Sequence, residues 1–288
     1  MRKLLHNVWR FVTAPIRWIG NLFERFSRFI TEEPEDTPLV DSLQKAVEQP
    51  SDLLIHLDAL RKHLLRAALV LALATMVSFV FARQIINILA DPVGGIDGLI
   101  AIDPTEPIGT FMRVSLLTGF AISLPYIVLE LWLFAAPGLG KNSRIFGLAA
   151  IPIATLFFLG GLAFAFFVML PTAIPFLVNF MGMRTELRPS SYIKFVTGIM
   201  FWIGVAFEFP LVIYVLARLG FVNARVLASQ WRLAIVILAV ASAAITPTVD
   251  PVNMAIVMGP MLVLYFLSIG LAYLAQRGRP LPAQSESG

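Results

Sequence analysis

From about residue 53 onward, polar side chains interrupt the chain only at intervals, leaving six apolar runs at roughly 64–88, 111–135, 145–170, 192–219, 231–245 and 253–275. An apolar helix of about 20 residues spans the ~30 Å hydrocarbon core of a bilayer, so the pattern predicts six transmembrane helices. The fifth run is short. Its 15 or so residues between Trp231 and Thr246-Pro247 make about 22 Å of helix, which must thin the bilayer locally or lean on its neighbours. Small residues from Ala239 to Ala244, with Ser242 among them, permit close helix approach there.

The pattern before residue 53 is different. In 1–30, Arg2, Lys3, Arg10, Arg17, Arg25 and Arg28 alternate with Leu, Trp and Phe, and Pro15 interrupts the run. This predicts a basic amphipathic segment lying in the membrane interface, and it is not a secretory signal. Residues 31–52 reverse the sign, with seven acids facing Lys45 alone, and Pro34, Pro38 and Pro50 punctuate them as a flexible linker. The expected organisation is therefore 1–30 interfacial, 31–52 linker, 53–276 membrane domain and 277–288 a disordered cytoplasmic tail.

Composition supports this reading. The 288 residues are 58% hydrophobic and 14% charged, against roughly 45–50% and 25% for soluble domains. A soluble globule could not hide so much apolar surface. With no Cys, thiol catalysis, thiolate metal sites and disulfides are excluded. The fold class expected is an all-α polytopic membrane protein. Beyond residues 1–52, ten basic residues (Arg61, Lys62, Arg66, Lys141, Arg144, Arg218, Arg225, Arg232, Arg277, Arg279) fall on the N-terminal side of the membrane. Five (Arg83, Arg113, Arg184, Arg188, Lys194) fall on the other, which predicts both termini in the cytoplasm. The basic excess thus belongs to topology and to contact with anionic lipid, and no soluble basic domain exists for nucleic acid.

Enzyme signatures are missing. Gly138 to Ser143 only loosely resembles a phosphate-binding loop, and His6, His56 and His63 do not sit at metal-ligand spacing. The expectation is a protein that is not an enzyme and carries no cofactor or metal. Two acids lie within apolar runs, Glu130 late in the second and Glu208 in the fourth. Intramembrane acids are costly and mark functional positions. Glu208 stands in Phe207-Glu208-Phe209-Pro210, where Pro210 lacks the donor for the carbonyl near Ala206 and strains the helix. Glu130, beside Trp132 and Phe134, also reads as an interfacial residue.

Five ordered motifs carry a resemblance to a known family. They are His56-Leu57-Asp58-Ala59-Leu60-Arg61, Asp103-Pro104-Thr105-Glu106, Trp132 to Leu139 with Pro137-Gly138-Leu139, Phe207-Glu208-Phe209-Pro210, and Thr246-Pro247-Thr248-Val249-Asp250-Pro251. Over about 53–276 the chain resembles the TatC family of the twin-arginine protein translocase. The resemblance implies a curved, glove-like set of six helices in a prokaryotic cytoplasmic membrane. It implies docking of twin-arginine signal peptides and assembly, in multiple copies, with the single-span partners TatA and/or TatB to export folded cargo on the proton-motive force. Asp58, Arg61, Glu106, Glu130, Glu208 and Pro210 are the candidate signal- or partner-binding residues.

The chain departs from the family at its acids. Family glutamates expected to meet the twin arginines fall on Ala59 and Ser143, and a further family acid falls on Phe266. Asp58 is one place from Ala59, a turn of about 100° around a helix. The alternatives are a divergent receptor using other acids, or a paralogue that keeps a scaffold role with weak signal binding. A proton-coupled secondary transporter built on Glu208 is the reading from another class, and it would want repeated halves that the sequence does not show.

Overall fold

A computed structural model describes residues 50–136, 141–178, 187–246 and 251–277. The interfacial segment and most of the linker expected for 1–52, the motif residues 137–140 and 247–250, and all but the first residue of the expected tail 277–288 lie outside them. The described residues are helical, with one isolated parallel bridge between Leu99 and Leu187. We number the helices α1 (Pro50–Ala90), α2 (Glu106–Ala135), α3 (Lys141–Phe164), α4 (Leu170–Val178), α5 (Pro189–Leu219), α6 (Ala224–Ser229), α7 (Trp231–Ile245) and α8 (Pro251–Arg277). Five stretches are long and apolar enough to cross a membrane, and α7 is a shorter apolar helix, at the bounds expected for the fifth run.

The helix limits follow from local chemistry. Pro50, Pro189 and Pro251 each open a helix at its first position, where a missing N–H costs nothing. The second run was expected to start near 111, but α2 starts at Glu106. Before it, Oδ1 of Asp103 accepts from the backbone N–H of Thr105 at 2.8 Å and its hydroxyl at 2.7 Å, a turn that launches the helix early. These bonds favour the ionised carboxyl and hold Asp103 below the usual aspartate range. At the other extreme, α5 ends at Gly220, whose φ of 90° is left-handed, with its N–H and that of Phe221 both returning to the Leu216 carbonyl.

Between α3 and α4 the segment Ala165–Met169 widens into a π turn, closed by the Leu170 N–H on the Ala165 carbonyl. The extra residue precedes Pro171 and Pro175, and the Thr172 hydroxyl donates back to Val168 at 3.1 Å. Gly147–Phe176 is therefore one continuous apolar stretch despite three prolines. Several buried hydroxyls are satisfied on their own helix, as Ser78 on Ala74, Thr197 on Ile193 and Ser268 on Leu264.

The chain divides into two compact units. The first includes, of its described residues, 50–61, 131–136 and 141–149. In it the His56 ring meets the Phe134 ring at 5.6 Å, and Gly147 leaves the room that the Trp132 indole fills. The second holds 62–130 and the rest of the chain from 150. Its α1 buries the stripe Ala74, Ser78, Ala82, Ile86 and Leu89, at helical spacing, while Leu69, Leu73, Met76, Val80 and Phe81 face outward as a lipid-exposed side would. Its main core gathers Val114, Met169, Leu170, Ile193, Val196, Ile199 and Ile203 around α5. Gly161 and Gly204 bring α3 onto α5, with Phe158 packed on Gly204. The opposite flank of α5 packs chiefly on α8, and α8 carries α6 and α7. There the Tyr265 hydroxyl donates to the Leu227 carbonyl at 2.6 Å, and the Ser242 hydroxyl contacts the Met261 sulfur at 3.8 Å.

Candidate functional site

Three of the sequence candidates sit in defined polar or grooved settings. Glu106 and Glu130 stand 24 residues apart on α2, about 36 Å along a helix axis and so more than a hydrocarbon core apart. At one end of α2, both Nε and Nη2 of Arg188 donate to Oε1 of Glu106, the Nε at 2.8 Å. Arg188 directly precedes α5, so the pair ties the starts of α2 and α5 together. Close by, the Tyr192 hydroxyl donates to the Leu89 carbonyl at 2.7 Å, and the Ile100 N–H to the Leu187 carbonyl at 3.1 Å.

At the other end Glu130 is buried, its side chain only 4% exposed. Its Oε1 accepts from the Tyr126 hydroxyl, one turn earlier on α2, at 2.5 Å. Its Oε2 meets Nδ1 of His63 on α1 at 2.5 Å, and the Arg66 guanidinium stands at 3.8 Å from the same oxygen. Burial of a carboxylate demands such company, because an unpaired charge at this depth would be costly. Glu130, which the sequence also reads as an interfacial residue, thus belongs to a buried polar cluster of four side chains.

Glu208 is in a third setting. Its carboxylate borders a cavity of about 480 Å³ between α5, α7 and α8, walled by Trp202, Phe209, Val212, Leu238, Ala244 and Leu264 among others. The walls are almost wholly apolar. Oε1 of Glu208 is buried and has no hydrogen-bond partner among the described residues. Pro210 is fully buried and α5 runs through it without a break, so the expected strain near Ala206 takes the form of a missing donor inside an intact helix. Ala206 lines the same cavity.

The remaining candidates lie near helix starts. Asp58 and Arg61 are exposed on α1 and Ala59 is half-buried. Ser143 falls in the first turn of α3, where only the backbone is described. Phe266 is exposed on α8.

Sequence reasoning missed His63, Arg66, Tyr126 and Arg188 as site residues. Tyr126 and Glu130 had a legible signal, since positions four apart on a helix face each other. The His63–Glu130 and Arg188–Glu106 contacts join residues 67 and 82 positions apart and leave no local trace.

Comparison with known proteins agrees with this architecture. The model of the family described as "Sec-independent protein translocase protein (TatC)" matches residues 55–260. A protein of that name from Deinococcus radiodurans is 33% identical over 83% of this chain and 91% of its own length. One from Aquifex aeolicus is 34% identical over 77% of this chain and 95% of its own. A crystal structure of a "Twin Arginine Translocase Receptor- TatC" superposes with a TM-score of 0.68 at 32% identity, covering 77% of this chain and all of that one.

Proposed function

The chain belongs to the TatC family of Sec-independent protein translocases, and from that premise we propose that it docks twin-arginine signal peptides and assembles with single-span TatA- or TatB-type subunits to export folded proteins. As a multi-pass translocase subunit it works by binding and assembly. The proton-motive force is the energy source in this reading, and the membrane is a prokaryotic cytoplasmic membrane. The ten-to-five bias of basic residues supports both termini inside, which puts Glu130 at the cytoplasmic end of α2 and Glu106 at the outer end.

The observation that carries the assembly reading is the Glu208 cavity. An apolar groove with an acid among its lining residues suits an apolar helix that brings a hydrogen-bond donor. Signal docking rests on carboxylates that face the cytoplasm in this topology, Glu130 first among them, since guanidinium pairs seek carboxylates. Glu106 and Pro210 hold the helices that frame these surfaces.

Export of a twin-arginine reporter in a translocase-deficient strain tests the whole reading, with co-purification of single-span subunits as the second measurement. Wild-type chain should restore export, and Glu208→Gln should lose both export and partner recovery while still inserting. Full export by Glu208→Gln removes that acid from the mechanism. The positions Ala59 and Ser143 favour one other reading, a scaffold paralogue that binds signals weakly. Export only after Ala59→Glu with Ser143→Glu would establish it.

A further inference from the structure

Glu130 has properties that a merely structural buried acid would lack. A carboxylate offers about four acceptor positions, and here two are filled, one by the Tyr126 hydroxyl on Oε1 and one by His63 on Oε2. An arginine of the chain itself has come to 3.8 Å from Oε2, beyond hydrogen-bond reach, with 57% of its side chain still exposed. The Oε2 side of Glu130 thus already faces a guanidinium whose side chain reaches the solvent. One acceptor position is left on each oxygen, and the obstacle to a fork-shaped, two-bond contact is space, since the His63 ring at 2.5 Å and Arg66 at 3.8 Å both stand on the Oε2 side. His63 is itself partly exposed, at 20% of its side chain, and so stands between Glu130 and the solvent.

The setting adds a reason. The two positions where the resemblance placed arginine-binding glutamates hold Ala59 and Ser143, so an acceptor for a guanidinium has to come from another residue. Glu130 combines burial, spare acceptor positions and a nearby guanidinium at the end of α2 that faces the cytoplasm in this topology.

Resting on the signal-docking reading above, we propose that Glu130 is the acceptor for one guanidinium of the signal peptide's arginine pair, and that His63, with Arg66 behind it, is an internal competitor that the peptide displaces. Tyr126 stays on Oε1 throughout and fixes the orientation of the carboxylate. In the peptide-free state the buried charge is compensated by the chain's own groups. In the bound state the peptide supplies that compensation, and His63 and Arg66 turn outward to water. Arginine wins this exchange because its planar fork engages two oxygens at once, which an imidazole or an ammonium cannot do.

The test uses the full chain in lipid nanodiscs and two synthetic signal peptides that differ only in carrying Arg-Arg or Lys-Lys. Binding is read by fluorescence anisotropy. The wild type should prefer the Arg-Arg peptide. Glu130→Gln should weaken its binding at least tenfold and leave the Lys-Lys peptide unaffected. His63→Ala, which keeps Glu130 in place and so answers even if Glu130→Gln folds poorly, should tighten Arg-Arg binding several-fold.

Selective wild-type binding with an unchanged Glu130→Gln variant overturns the assignment of Glu130 and leaves signal docking intact. Arg-Arg binding unchanged or weakened by His63→Ala overturns the competitor. If the wild type does not distinguish the two peptides while the Ala59→Glu, Ser143→Glu chain does, the docking reading itself fails for the native protein, and this proposal with it.

Discussion

Gly119 of α2 lies against the backbone of Thr75 in α1, so close that a Cβ on Gly119 would stand 2.6 Å from the Thr75 Cα. No methyl group fits there without moving a helix, because the obstructing atom is main chain. Gly119→Ala should therefore destabilise the folded protein by about 1–3 kcal/mol, the usual cost of overpacking. Thermal unfolding in detergent reads this, with Gly109→Ala as the control, since that position has open space around it.

The pair between Arg188 and Glu106 is the contact that fastens α2 to α5 at one end. Arg188→Ala leaves a buried carboxylate without its main partner, and Arg188 is about half exposed, so solvent recovers part of the loss. A lower unfolding temperature in detergent is expected. The double variant Arg188→Ala with Glu106→Gln should be more stable than Arg188→Ala alone. Equal stability of the two would mean that the charge of Glu106 is not what Arg188 answers.

Asp103 gives the acid side of the stability profile a defined contribution. Its carboxyl is held low in the folded protein by the Thr105 N–H and hydroxyl, so the stabilisation is present above the ordinary aspartate value and is lost as pH falls through the lower folded one. Unfolding midpoints of wild type and Asp103→Asn should stand apart above about pH 4 and draw together as pH falls below it. Parallel curves over that range would remove Asp103 as the cause.

The Tyr265 hydroxyl is the tether of α8 to the carbonyl of Leu227 in α6. Tyr265→Phe should cost about 1 kcal/mol from one lost hydrogen bond and should loosen the short helix first. Hydrogen exchange at 224–229 measures that directly. Faster exchange confined to those amides is the expected pattern, and unchanged rates would assign the anchoring of α6 to its Asn223 cap and apolar contacts instead.

The membrane helices were legible in the sequence because lipid imposes one strong condition, an apolar run long enough to span it. The limits of α7 were readable to the residue, since Trp231 and Thr246-Pro247 bracket it. Glu208 was legible for the same reason, as a single acid in an apolar run. The partners of Glu130 were not. Histidines were weighed for clustering with one another, and His63 instead meets a carboxylate 67 residues away. Periodicity assigns a residue to a face of its own helix, but it does not say which face of which other helix will oppose it. The early start of α2 was hidden in Asp103-Pro104-Thr105, a turn whose side-chain bonds matter more than its hydropathy.

The two polar contacts of α2 have a mechanical consequence. With Glu106 fastened to Arg188 at one end and Glu130 to His63 about 36 Å away, the helix is stopped from sliding along its own axis in either direction. A ligand that takes Glu130 from His63 releases one stop and leaves the other. What remains is a helix tied at its Glu106 end and packed along its length, with Gly119 against Thr75, so the change is confined to the end where the ligand arrived.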